Sequence, residues 1–321
     1  MKGAVVALAL PGAREWDFGD YPYGLEPLTL PVPGNDWLSD GTADTDLVDC
    51  YAGLADALRT GGLRTEPAAA DDLEKLFWFR WIAGHHISFV IWRLLAGCLA
   101  RLAEGDRDRW TTTAAAIEYV RAYSAMLIYT ASSTQRIYNA VIRPSMYRLH
   151  STFSGTWSAD YPAVRSLFRA RRAPKGVTVG GDALLREARL SHQIHLGVAS
   201  KLVVDGRSLL QHLVDNPAAH QPRMWETVFD CYFLTARAPV TGHEVLSQFL
   251  RRCKAVVTDL ATNGLYPAVA DYDDFVPEEL RTPDVLACER DLSDVVLRAA
   301  GLAVGAVRPA GRNERETEAV N

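Results

Sequence analysis

One segment limits the possible folds more than any other. Residues 69–105, AADDLEKLFWFRWIAGHHISFVIWRLLAGCLARLAEG, carry acidic residues at the start, a glycine at the end and no proline between. Those are the start and stop signals of a single helix of about ten turns. Its apolar residues fall on nearly every side, so it has no face suited to water and must be enclosed by other elements. Within it stand two adjacent histidines, His85 and His86. An imidazole in an apolar interior needs a hydrogen-bond partner or a ligand.

The rest of the chain can supply that enclosure. Helical periodicity begins at residue 45 and returns at 108–142, 181–204, 223–237, 242–264 and 283–301, whereas strand-like alternation is scarce. The expected fold is all-α: one helical domain over residues 45–303, preceded by an aromatic arm (1–44) and followed by a polar tail (304–321) that reads as disordered. In the arm, Pro22, Pro27, Pro31 and Pro33 favour extended chain. A net charge of -5 gives no basis for a nucleic-acid partner. Five dispersed cysteines without a CxxC pair read as reduced thiols, and the expected location is cytoplasmic. No stretch reads as a membrane span.

Phe79, Ile82, His86, Phe89 and Arg93 share one stripe of the long helix, and His85 lies about 100° round it beside Trp81, Phe89 and Trp92. On the 181–204 helix, His195 aligns with Leu184, Ala188, Ser191, Val198, Ala199 and Leu202. Small residues there would let a flat macrocycle approach. A tightly packed helix contact would favour the same residues. Motifs for zinc (HExxH), di-iron carboxylates (ExxH), serine hydrolysis and nucleotide binding are missing from the sequence. Haem with a proximal histidine is then the leading cofactor, and histidines that only satisfy a core remain the alternative.

Two stretches resemble tryptophan 2,3-dioxygenases. HHISFVIWR (85–93) resembles that family's distal-helix motif HQxYELWFK, with His86 at the distal histidine and Phe89 and Trp92 at the aromatic positions. HLGVASKLV (195–203) resembles the proximal motif HxxMVxRxxG, which makes His195 the iron ligand. The family's glycine-serine stretch and its SGFQSxQFR segment are not reproduced. IRPSMYRLHSTFSGTW (142–157) occupies the latter's place, and DGRSLLQH (205–212) stands where the former would follow the proximal helix. Together with the arm WDFGDYPYGLEPLTLP (16–31), these features are most similar to the haem-dependent L-tyrosine 3-hydroxylases of actinobacterial antibiotic biosynthesis, within the haem-dependent aromatic oxygenase superfamily.

That resemblance implies a fold like the tryptophan/indoleamine dioxygenases and a haem b iron held by His195, with Phe89, Trp92, Val198 and Ala199 around the cofactor. It implies hydroxylation of L-tyrosine to L-DOPA by hydrogen peroxide, with His86 as the base that takes the phenolic proton. Arg143 and Arg148 are expected to clamp the substrate carboxylate. Ser154, Trp157, Tyr21 and Tyr23 are expected at the pocket wall. A homodimer is expected too, by analogy with subunits that complete each other's pockets. The alternatives are an indole-oxidising dioxygenase using molecular oxygen, and a haem-free helical binding protein.

Overall fold

The computed structural model describes residues 23–34, 45–170, 172–177, 179–203, 222–272 and 275–306. It is 71% helical, an all-α fold as the periodicity predicts. Helix α1 spans Thr45–Thr60, α2 Leu73–Glu104 and α3 Arg109–Thr130. The short α4 (Gln135–Ile137) runs through one π-helical turn into α5 (Arg143–Leu149), and α6 is Pro162–Phe168. Then come α7 (Gly181–Leu202), α8 (Pro222–Tyr232), α9 (Gly242–Asn263), α10 (Pro283–Arg290) and α11 (Leu292–Ala306). Most of the expected arm and tail, and the segment 205–212, lie outside the described residues.

Helix α2 is the axis of the molecule. It packs along α3 and against α9, while α3 also bears on α7 and α11. By length and composition α2 could cross a membrane, contrary to the expectation that no stretch would. Its apolar surface is instead covered by these neighbours, as for a core helix. Gly84 permits the α2–α3 crossing: a Cβ there would collide with Thr130 Cγ2. Gly105, with φ +92°, ends α2 in the left-handed conformation that glycine adopts without strain.

Local signals misplace four features. Pro144 lies in the first turn of α5, where a missing N–H costs nothing, and does not end a helix. Asp182, by residue type the expected cap of the 181–204 helix, stands inside the first turn of α7, and Gly180 occupies the cap. The 283–301 stretch divides at Asp291. The helix expected over 223–237 stops at Tyr232, and Thr235–Arg237 form a strand, β2, parallel to β1 (Leu28–Leu30). Two three-residue strands are too short to show a period. On its other edge β1 is held by one side chain: Gln248 accepts from Thr29 N–H at 2.8 Å and donates to Thr29 O at 2.9 Å.

Beneath α2 lies a fully buried ion pair. Arg80 binds Asp259 through Nε (2.8 Å) and Nη2 (3.0 Å). Its remaining donors go to Ser132 Oγ and to the carbonyls of Gly264 and Leu265, so all five are used. Asp259 also accepts from Tyr129 and Asn263. Asp259→Ala would strand a buried cation, and we expect it to cost about 3–5 kcal/mol in a denaturant titration. A loss below about 1 kcal/mol would mean that water reaches the pair.

Candidate functional site

A cavity of about 370 Å³ lies between α2, α3 and α7 and is closed by the 153–156 loop, α6 and α8. Helix α2 turns Trp81, His85, Ser88 and Trp92 toward it, at spacings of 4, 3 and 4. Helix α7 contributes Ser191, His192, His195, Val198, Ala199 and Leu202. The described lining contains two arginines, Arg143 and Arg169, and no aspartate or glutamate. In a chain of net charge -5 this is a locally electropositive, mostly apolar chamber.

The two adjacent histidines do different things. His85 lines the cavity, with its ring stacked 4.4 Å from Phe233 and tilted against Trp81 at 4.3 Å. Its Nδ1 lies 2.6 Å from the Trp81 carbonyl. A carbonyl can only accept, so Nδ1 carries the proton and Nε2 keeps its lone pair. Burial lowers the His85 pKa to about 4, leaving the ring neutral near pH 7.

His86, the expected base, is turned away from the cavity and is 1% exposed. Its Nε2–H donates to the Phe233 carbonyl at 2.5 Å, and its Nδ1 accepts from Arg252 Nε at 3.0 Å. Burial, reinforced by the Arg252 charge, holds its pKa well below the usual imidazole range. With both nitrogens engaged and no access to the cavity, His86 is a structural tie between α2, α9 and residue 233. Phe233 thus serves both histidines, its ring stacking on one and its carbonyl accepting from the other.

His195 presents much of its surface to the cavity, although it is deeply surrounded by protein. Burial lowers its pKa, and neighbouring His192 adds to the shift. Neither ring nitrogen of His195 has a protein hydrogen bond among the described residues. A neutral imidazole with an uncommitted lone pair is what a metal requires. Among the described residues no group of three or more His, Cys, Asp or Glu side chains could hold a bare ion. Haem carries iron already bound by its own macrocycle, so a mostly apolar cavity lined by an uncommitted histidine fits it.

The other expected site residues divide between wall and support. Trp92, Val198, Ala199, Arg143 and Ser154 line the cavity. Phe89 sits behind the wall, 5.4 Å from Phe233 and 5.6 Å from Trp92. Trp157 is buried behind the loop and stacks on Trp225 at 4.4 Å. Arg148 is exposed on α5 and does not reach the cavity. Tyr23 packs against Phe79 on another side of α2, its hydroxyl accepting from Asn263, so it is not a wall residue. Tyr21 lies outside the described residues. Sequence reasoning missed Tyr123, Tyr138, Tyr161, Arg169, Phe229 and Phe233, which come from four separate segments with no spacing common to them. Ser88 was the one available signal, a polar residue on the His85 stripe of an apolar helix.

Residues 42–182 match the family model of the SfmD 3-methyl-L-tyrosine peroxygenase. Over a little under half of its length, the chain is therefore similar to a tyrosine-type peroxygenase family. The match takes in His85, His86, Arg143 and the 153–156 loop, and it ends at the first turn of α7, before His192 and His195. The α2 wall of the cavity thus lies within the peroxygenase match, and the α7 histidines are brought to it by the fold. No curated protein matches the chain.

Both α2 histidines are held neutral, which gives stability a pH dependence. In the unfolded chain each would titrate near 6.5, whereas folded His85 titrates near 4. Between these values the unfolded state binds more protons, so stability falls as pH drops. Its contribution is fully present above about pH 6.5 and is lost by about pH 4, worth about 3 kcal/mol for His85. Denaturant midpoints measured from pH 7.5 to 4 should fall, and the fall should be smaller in His85→Phe.

Proposed function

We propose that this cavity holds haem b with His195 as the axial iron ligand, and that the protein hydroxylates L-tyrosine or a close ring-substituted derivative ortho to its phenol, giving L-DOPA from L-tyrosine. The observation that carries this reading is the convergence of two neutral imidazoles, His85 from α2 and His195 from α7, on one acid-free chamber. The peroxygenase match of residues 42–182 supports the oxidant and the substrate class. Haem, when bound, would supply activation of hydrogen peroxide, one oxygen atom entering the ring and the other leaving as water.

The chain's own residues would do the rest. Nε2 of His85 accepts a hydrogen bond from the phenolic O–H, which raises electron density at the ortho carbons and directs hydroxylation to the 3-position. The Trp81–Nδ1 bond fixes the tautomer and the ring plane, so this acceptor is held in place before substrate arrives. Arg143, near Tyr138 on the cavity wall, takes the amino-acid head. Phe153, Phe229 and Phe233 exclude water around the ring.

The test is product analysis of haem-loaded protein given hydrogen peroxide with L-tyrosine, 3-methyl-L-tyrosine or L-tryptophan. A catechol product from either tyrosine, one oxygen heavier, is expected. Oxygen-dependent cleavage of the indole ring with no tyrosine product would overturn the reading in favour of a dioxygenase. The cytoplasmic homodimer expected from the sequence belongs to the same reading, and sedimentation of the purified protein tests its oligomeric part.

A further inference from the structure

The cavity has a second polar end, away from Arg143. Trp92 on α2 lies 5.4 Å from Tyr123 of α3 and 5.1 Å from Tyr161 at the entry to α6. Phe168 packs against both tyrosines, at 5.2 and 6.5 Å, and brings Arg169 with it at the C-terminus of α6. All five residues line the cavity. The two hydroxyls influence each other electrostatically, and Arg169 is near enough to Tyr161 to act on it.

Burial raises the pKa of both tyrosines, so each keeps its proton and can donate. Neither hydroxyl, nor the Arg169 guanidinium, has a hydrogen-bond or ion-pair partner among the described residues. The Trp92 indole N–H is buried beside them, also without a partner. Several donors and one cation are thus gathered with no acceptor. Of these groups the Trp92 N–H is buried outright, and leaving such a group without a partner costs about 1–3 kcal/mol; Tyr123 and Tyr161 are half-buried and Arg169 is exposed, so their donors stay accessible to an incoming acceptor.

We propose that Arg169, Tyr161 and Tyr123 form a carboxylate-binding subsite at the end of the cavity remote from Arg143. Its donor set matches a carboxylate, the guanidinium taking one face and the two hydroxyls a free oxygen. Within the proposed function two molecules could bring that group: the carboxylate side chains of the tetrapyrrole or the α-carboxylate of the amino acid. This inference rests on that reading for the identity of its ligands, but not for the chemistry of the subsite.

The experiment uses the full-length protein without haem and four probes. Protoporphyrin IX and its dimethyl ester differ only in free carboxylates, and L-tyrosine and tyramine differ only in theirs. Binding is followed by porphyrin fluorescence and by calorimetry, in the wild type and in Arg169→Gln and Tyr161→Phe, with circular dichroism as the check on folding. Loss of one charge-assisted contact is expected to weaken the carboxylate probe about tenfold and leave its neutral counterpart unchanged. If the porphyrin acid alone is weakened, the subsite takes the tetrapyrrole; if L-tyrosine alone, it takes the substrate. Unchanged binding of both acids in both variants would overturn the proposal. If neither porphyrin binds even the wild type, the haem reading fails, and the tyrosine and tyramine arm still decides the subsite.

Discussion

His85→Ala is expected to lower turnover by about 10²–10⁴-fold, the usual contribution of a positioned base, and to leave folding and haem uptake in place. His86→Ala is expected to do the reverse. It removes the acceptor of Arg252 Nε and the donor to the Phe233 carbonyl, both within the core. Leaving a buried guanidinium nitrogen unsatisfied should cost about 2–4 kcal/mol. The surviving fraction of folded His86→Ala should turn over near the wild-type rate per haem. Turnover and denaturant midpoint measured on both variants separate the two roles. Activity lost in His86→Ala at unchanged stability, with His85→Ala active, would return the base to His86 and require a rotation of α2 of about 100°.

The second large effect concerns α7. Haem-loaded wild-type protein should show a Soret band, and His195→Ala should lose its axial ligand and with it the native band. His192→Ala should keep the band. His192 and His195 are three residues apart and both border the cavity, so this pair of variants is decisive. External imidazole should restore the spectrum of His195→Ala, because the apolar chamber that receives the macrocycle is left intact. If His192→Ala loses the band and His195→Ala keeps it, the ligand is His192. If both retain it, haem is held without α7.

The two α2 stripes show where reading the sequence stopped. Both the 79–82–86–89–93 stripe and the 81–85–88–92 stripe are mainly apolar, with one histidine and one other polar residue each. Local spacing places His85 and His86 about 100° apart but does not say which neighbour covers which stripe. That was decided by Phe233 and Arg252, which lie 147 and 166 residues from His86 along the chain. The same limit applies to the arginines. Arg143 and Arg148 stand five residues apart on α5, about 140° round it, and only the packing of α5 decides that the first lines the cavity and the second is exposed.

The sequence by itself determined the all-α fold, the central and enclosed place of α2, and α7 as a second histidine-bearing helix. Those follow from 3.6-residue periodicity, caps and unbroken apolarity, which are properties of consecutive residues. The tertiary structure decided which histidine meets the cavity, which arginines line it, and which aromatic residues only support the wall. These depend on contacts between distant segments. A helix that is apolar all round carries no local record of which side will face a partner helix and which will face a chamber.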